Sequence, residues 1–195
     1  MISTKFKVLL LILLSWFLAG CAGNKMNEIA TVSQVDLPRF MGDWYVIAAI
    51  PTAIETQSYN AIENYKLNTD GTIATTFTFH KGAVDGALKT YQPKGFVKPN
   101  TGNALWGMQF IWPIKAEYRI TYLDKDYQRT IIARNARDYV WIMARTPQIS
   151  DAQYKEMTDL IAAYGYDIAK LRKVPQVWST KSVLSTPNSS TASEQ

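Results

Sequence analysis

The sequence predicts an all-β domain of eight antiparallel strands followed by a single helix. Short segments of alternating hydrophobicity recur at roughly ten-residue spacing between positions 42 and 145, the mark of a sandwich or barrel. No helical pattern interrupts them, which excludes a parallel sheet, whose crossovers need one. Aromatic residues make up 12% of the chain, a share that suits strands and apolar interiors better than extended polar arms. At 195 residues the chain suits one domain of about 150 residues plus its ends.

The first strand lies in RFMGDWYVIAAIP, where Met41-Gly42-Asp43 leads into the run 42–50, stopped by Pro51. The second (60–68) and third (72–80) are joined by Asn-Thr-Asp-Gly at 68–71, a hairpin signal between alternating runs. The fourth, 88–97, contains Pro93 and Gly95 and so reads as bent or at an edge. Runs at 105–111, 118–124, 129–134 and 139–145 complete eight. Helix chemistry follows Pro147: Ser150 and Gln153 stand at capping-box spacing, and Tyr154, Met157, Leu160, Ile161 and Tyr164 share one face. Gly165 supplies a left-handed stop. The stripe needs a surface to cover it, most simply the outer wall of the strands. A ninth short strand, 168–174, can pair beside the first.

The N-terminus carries Lys5 and Lys7, an apolar run from Val8 to Leu18 and then small residues, the order of a secretory signal. The run is too short to span a bilayer as a mature helix, which needs about 20 apolar residues. Leu18-Ala19-Gly20-Cys21, with the chain's sole cysteine at the cleavage point, resembles the bacterial lipoprotein box. That resemblance implies an S-diacylglycerol and an N-palmitoyl chain on Cys21. Ala22, rather than Asp, follows the cysteine, which implies the outer membrane of a Gram-negative bacterium, facing the periplasm. The expected organisation is a signal peptide over 1–20, a lipidated tether over 21–35, a folded domain over 36–178 and a disordered Ser/Thr-rich tail over 179–195. With Cys21 acylated no thiol remains for a disulfide.

Three motifs in order carry a second resemblance. Gly42-Asp43-Trp44 is similar to the Gly-x-Trp that opens the first strand of lipocalins. YLDKDYQ, with Asp124, Asp126 and Tyr127, resembles the family's second signature, and YVWIMARTP, with Arg145, the third. The resemblance implies an eight-stranded antiparallel up-and-down barrel with the helix packed on its outside. Such a barrel has room for one small ligand, and one end must be sealed. Trp44 would fill that end with Arg145 over its face, a cation–π contact, so the signature residues are read as structural. If Trp44 points inward, alternation sends Val46, Ala48 and Ile50 inward with it. Counting from the motifs adds Glu63, Tyr65, Phe77, Trp106, Met108, Phe110, Tyr118, Tyr122 and Trp141 as expected ligand contacts. Glu63 is a carboxylate on an otherwise apolar face: either a partner for a cationic head group or water cluster, or a residue turned outward by a bulge.

Nothing in the sequence supports catalysis, a cofactor or a metal. His80 is the one histidine and reads as outward-facing, too few for a His-rich zinc site. The Asp124–Asp126 turn lacks the remaining ligands and glycine of a calcium loop. Net charge is +5, about +3 without Lys5 and Lys7, and the cations are scattered among acids, which does not suit nucleic acid. The expected function is binding a fatty acid or lysophospholipid for lipid storage, transport or membrane maintenance. The alternative is a lipid-anchored envelope interaction or assembly factor with a filled barrel. A hollow calyx distinguishes the first from the second. A homodimer is compatible with either.

Overall fold

The computed structural model describes residues 27–178. The expected signal peptide, the acylated Cys21, the first residues of the tether and the tail lie outside the described residues. A one-turn helix, α1 (Leu37–Phe40), precedes strands β1 (Gly42–Ile50), β2 (Ser58–Leu67), β3 (Thr72–Lys81), β4 (Ala87–Tyr91) and β5 (Lys94–Val97). Strands β6 (Leu105–Ile111), β7 (Ile114–Leu123), β8 (Arg129–Ala133) and β9 (Val140–Ala144), helix α2 (Asp151–Ala163) and the short β10 (Arg172–Lys173) follow. Every pairing is antiparallel; successive strands pair except that β5 pairs with β3 and β10 with β1, and β1 returns to β9 through Tyr45↔Ala144 to Ile50↔Val140, closing the barrel.

The expected fourth strand is two. β4 and β5 both pair with β3, split at Gln92-Pro93. Proline has no N–H to donate to a ladder, but its carbonyl still accepts from Thr75 N–H at 3.1 Å. Together they fill one position of an eight-position barrel.

Two interiors result. The inner one runs from Phe40, Trp44 and Trp106 up to Phe77 and Phe79. The outer one lies between α2 and the wall, with Met157 and Ile161 against Ile131, Ile142 and Ala48. Ser150 and Gln153 form the expected reciprocal cap: Gln153 N–H donates to Ser150 Oγ at 3.2 Å and Ser150 N–H to Gln153 Oε1 at 2.9 Å. Burying Met157 and Ile161 completely is worth about 1.5–3 kcal/mol each, which holds the helix to the wall.

β-Bulges overturn part of the expected alternation. The β1–β9 register shifts between Val46 and Ala48, so Ala49 joins the inner core while Ile47, Ala48 and Ile50 face α2. One extra residue on a strand exchanges its two faces from that point on. A second shift, between Ile120 and Tyr122, sends Tyr122 outward, its hydroxyl 3.5 Å from Glu156 of α2. Ala48, Ile50 and Tyr122 therefore do not face the barrel interior.

Residues 27–35, expected as tether, lie along the wall from Asn27 onward. Val32 N–H donates to Ile120 O at 2.9 Å and Val35 N–H to Gly102 O at 2.7 Å, while Ile29 and Val35 are buried. The crossing is tight enough that a Cβ on Gly102 would collide with the Ser33 carbonyl. At the other end of the chain, the segment through β10 fills the gap where β1 and β2 diverge. Val174 N–H reaches Ile47 O at 2.9 Å, and Gln176 Nε2 bridges Val46 O and Ala61 O at 2.9 and 3.0 Å.

Candidate functional site

The barrel is sealed at one end by aromatic rings. Trp44 is fully buried, 5.0 Å from Phe40, which in turn contacts Tyr65 and Trp106 at 5.6 and 5.5 Å between centroids. Arg145 lies over Trp44 at 3.8 Å. Its guanidinium also donates to the carbonyls of Asp43 (2.7 Å), Arg39 (2.9 Å), Phe40 (3.0 Å) and Met41 (2.9 Å). It thus satisfies the exposed C-terminal carbonyls of α1 as well as facing the ring. Gly42 sits at φ +90 with Arg145 3.5 Å from where its Cβ would be, a conformation that favours glycine. In the β7–β8 turn, Asp124 accepts from Gln128 N–H at 2.7 Å and Arg129 Nε at 3.0 Å. Tyr127 takes φ 59 and accepts from Asp36 N–H through its hydroxyl at 2.9 Å. Asp126 is exposed, and its carbonyl accepts from Gln128 Nε2 at 3.1 Å.

Above the plug the barrel is open. A cavity of about 430 Å³ runs from Glu63, Thr75, Met108 and Tyr118 at its deep end to Phe110, Ile111, Tyr139 and the 52–55 loop at its mouth, with Phe77, Tyr91, Ala116 and Trp141 between. Of the expected contacts, Glu63, Phe77, Met108, Phe110, Tyr118 and Trp141 line it. Val46, Tyr65 and Trp106 point inward but belong to the packed layer beneath. Residues not anticipated include Glu55 and Arg134. Glu55 is on an irregular loop, where period-two counting has nothing to say. Arg134 follows directly on β8.

Two acids meet in this space. Glu55 is buried, accepting from Thr52 N–H at 3.0 Å, Thr52 Oγ1 at 2.8 Å and Trp141 Nε1 at 3.2 Å. Burial nevertheless raises its pKa, against the pull of those donors. Burial, reinforced by the charge of Glu55, pushes Glu63 up to about 8. Glu63 accepts from Tyr65 Oη, which is 2.7 Å from Tyr118 Oη. Among the described residues neither acid has an ion-pair partner. Near neutrality Glu63 is therefore a neutral acid able to donate a hydrogen bond at the deep end of the cavity.

That arrangement makes stability depend on pH. Between pH 4.5 and 8 the unfolded chain sheds the Glu63 proton that the folded chain keeps. The contribution of this group is complete below 4.5 and is lost as pH rises towards 8, at up to about 1.4 kcal/mol per pH unit. Glu63→Gln, which keeps an acceptor for Tyr65, is expected to match the wild type near pH 4 and exceed it at pH 7 in urea unfolding. Equal differences at both pH values would refute the buried neutral acid.

A closed barrel with one sealed end, one open end and an outer helix is the build of a ligand-enclosing carrier. Residues 35–176 match the family described as Lipocalin-like domain, and the chain belongs to that family. Temperature-induced lipocalin-1 of Arabidopsis thaliana is 31% identical over 165 residues, covering 78% of this chain and 86% of the relative. Outer membrane lipoprotein Blc of Escherichia coli strain K12 is 28% identical over 150 residues, covering 76% and 83%. Among solved structures, insecticyanin from the tobacco hornworm Manduca sexta shares the fold with a TM-score of 0.60 at 15% identity, over 80% of this chain and 87% of that one.

Proposed function

We propose that the protein is an outer-membrane lipocalin, held through acylated Cys21 on the periplasmic side, whose cavity takes up one lysophospholipid or fatty acid. The observation that carries this is the cavity itself: about 430 Å³, within the roughly 300–1,000 Å³ range of small-molecule sites. A filled barrel, required for a purely scaffolding factor, is disfavoured by the same space. Relatives named as outer membrane lipoproteins support the anchor.

The chemistry favours the lysophospholipid. A free carboxylate at the deep end would find the neutral Glu63 and phenols but no cation, because Arg134 lies past the end of β8 at the mouth. An acyl chain against Phe77, Met108, Tyr91 and Trp141 instead gains about 0.8 kcal/mol per methylene. Arg134 also lines the cavity, and its Nε is buried with no hydrogen-bond partner among the described residues. The guanidinium is ion-paired with Asp138 at 2.9 Å, and its remaining terminal N–H groups suit a phosphate oxygen at the mouth. Glu55 is placed to face an amine.

Cys21→Ser is expected to abolish incorporation of labelled palmitate, because the thioether needs the sulfur. Palmitate still incorporated, with the protein still fractionating with outer membrane, would refute the anchor. In lipid titrations, affinity should rise about four-fold per added methylene until the chain outgrows the cavity. Chain-length-independent binding would instead revive the scaffolding reading.

A further inference from the structure

A hairpin tip normally carries Gly, Asn, Asp or Ser, but the tip joining β6 to β7 reads Phe110-Ile111-Trp112-Pro113-Ile114. Phe110, Ile111, Trp112 and Ile114 are 49%, 73%, 83% and 69% exposed. Ile54 and Leu88, also exposed, lie at the same open end. The patch is continuous with the cavity, since Ile54, Phe110 and Ile111 also line its mouth. The sealed end is different: Thr69, Asp70, Asn100, Lys125 and Asp126 are exposed there, and all are polar. A contiguous apolar patch on one end of a barrel marks an interaction surface.

The chain itself indicates what covers this patch. Asn27 is held beside the open end: its carbonyl accepts from Arg137 at 2.5 Å, and Ile29 N–H donates to Asn135 Oδ1 at 2.9 Å, both in the β8–β9 loop. Only six residue steps separate Asn27 from Cys21, a reach of at most about 20 Å at 3.3–3.6 Å per residue. An acyl anchor on Cys21 therefore holds the mouth, rather than the plug, next to the bilayer. Lys81, at the open end of β3, and Lys89, within β4, are exposed on that side together with Asp85 of the connecting loop; the flexible cationic heads of the two lysines suit the phosphate level of a membrane surface.

We propose that the open end of the barrel docks on the lipid bilayer, with the 110–114 tip inserted at headgroup depth and the cavity mouth opening onto the membrane. This rests on the reading of Cys21 as the lipid anchor. A lipid then passes between bilayer and cavity without its acyl chain crossing bulk water.

The test uses the full chain purified from membranes and reconstituted in phosphatidylethanolamine–phosphatidylglycerol vesicles. With Cys21 acylated, a cysteine introduced by Trp112→Cys or, at the sealed end, Thr69→Cys is a unique labelling site, and where palmitate is absent the same label is read in a Cys21→Ser background, which keeps it unique. Each carries an environment-sensitive fluorophore, and palmitate incorporation is measured on the same samples. Docking predicts a blue-shifted emission at position 112 that brominated lipid quenches, and water-like, unquenched emission at 69. Palmitate present with both positions water-like overturns the docking and leaves the anchor standing. Palmitate absent with position 112 still quenched overturns the anchor and leaves the docking, by the tip alone. Palmitate absent and both positions water-like overturns both.

Discussion

Replacing Trp44 with alanine is expected to destabilise the barrel by about 3–5 kcal/mol, the range for removing a fully buried large aromatic side chain. The loss would leave one face each of Phe40 and Arg145 without a partner. It would also remove the hydrogen bond from Trp44 Nε1 to Phe40 O at 2.8 Å. From the sequence, Arg145→Ala looks the milder change, because only a ring contact is implied. The structure raises that expectation: Arg145 serves the carbonyls of Arg39, Phe40, Met41 and Asp43, and truncating it strands them near the plug. Because the two side chains touch, their effects should fall short of adding, by roughly 0.5–3 kcal/mol. A double-mutant cycle by urea unfolding checks this; strict additivity would contradict a shared plug.

Ala116→Trp is expected to abolish lipid binding while leaving the urea midpoint nearly unchanged. Ala116 lines the cavity, so an indole there occupies space that a ligand would take. Excluding four methylenes of an acyl chain weakens binding by roughly 200-fold. Ala48→Trp is the informative contrast. Ala48 sits in the packed layer with Met157 and Ile161 under α2, so overpacking there should cost about 1–3 kcal/mol and leave affinity intact. Tryptophan quenching on lipid addition, paired with the urea midpoint, reads both variants. If Ala116→Trp instead unfolds early, or if Ala48→Trp blocks binding, the position assigned to the cavity is wrong.

Much of the barrel was legible in the sequence because closing it needs particular residue types. A strand that starts at φ +90 favours Gly42, and a sealed end needs a ring as large as Trp44. Alternation located Glu63, Phe77, Met108, Tyr118 and Trp141 on the inner face, because the register between Ile62 and Leu67 of β2, and across Phe77 of β3, is regular. It failed where a bulge adds one residue, so Ala48, Ile50 and Tyr122 were assigned to the wrong face. Nothing in the local pattern announces such a bulge. Depth along the barrel was equally hidden: Val46, Tyr65 and Trp106 face inward but fill the plug layer. Residues 27–35 read as polar, because their few apolar side chains, Ile29, Val32 and Val35, meet partners only in the folded wall.

Whether the calyx carries a lipid is tested most directly by native mass spectrometry of the protein released from its own membranes, followed by lipid extraction. Lipid binding predicts a complex with one non-covalently bound lysophospholipid or fatty acid per chain, in addition to the acyl groups on Cys21. The Ala116→Trp variant, prepared identically, should lose that ligand and keep the acyl groups. A wild-type protein carrying only its covalent acyl chains, with nothing extracted from the cavity and none taken up from added lysophospholipid, would contradict it.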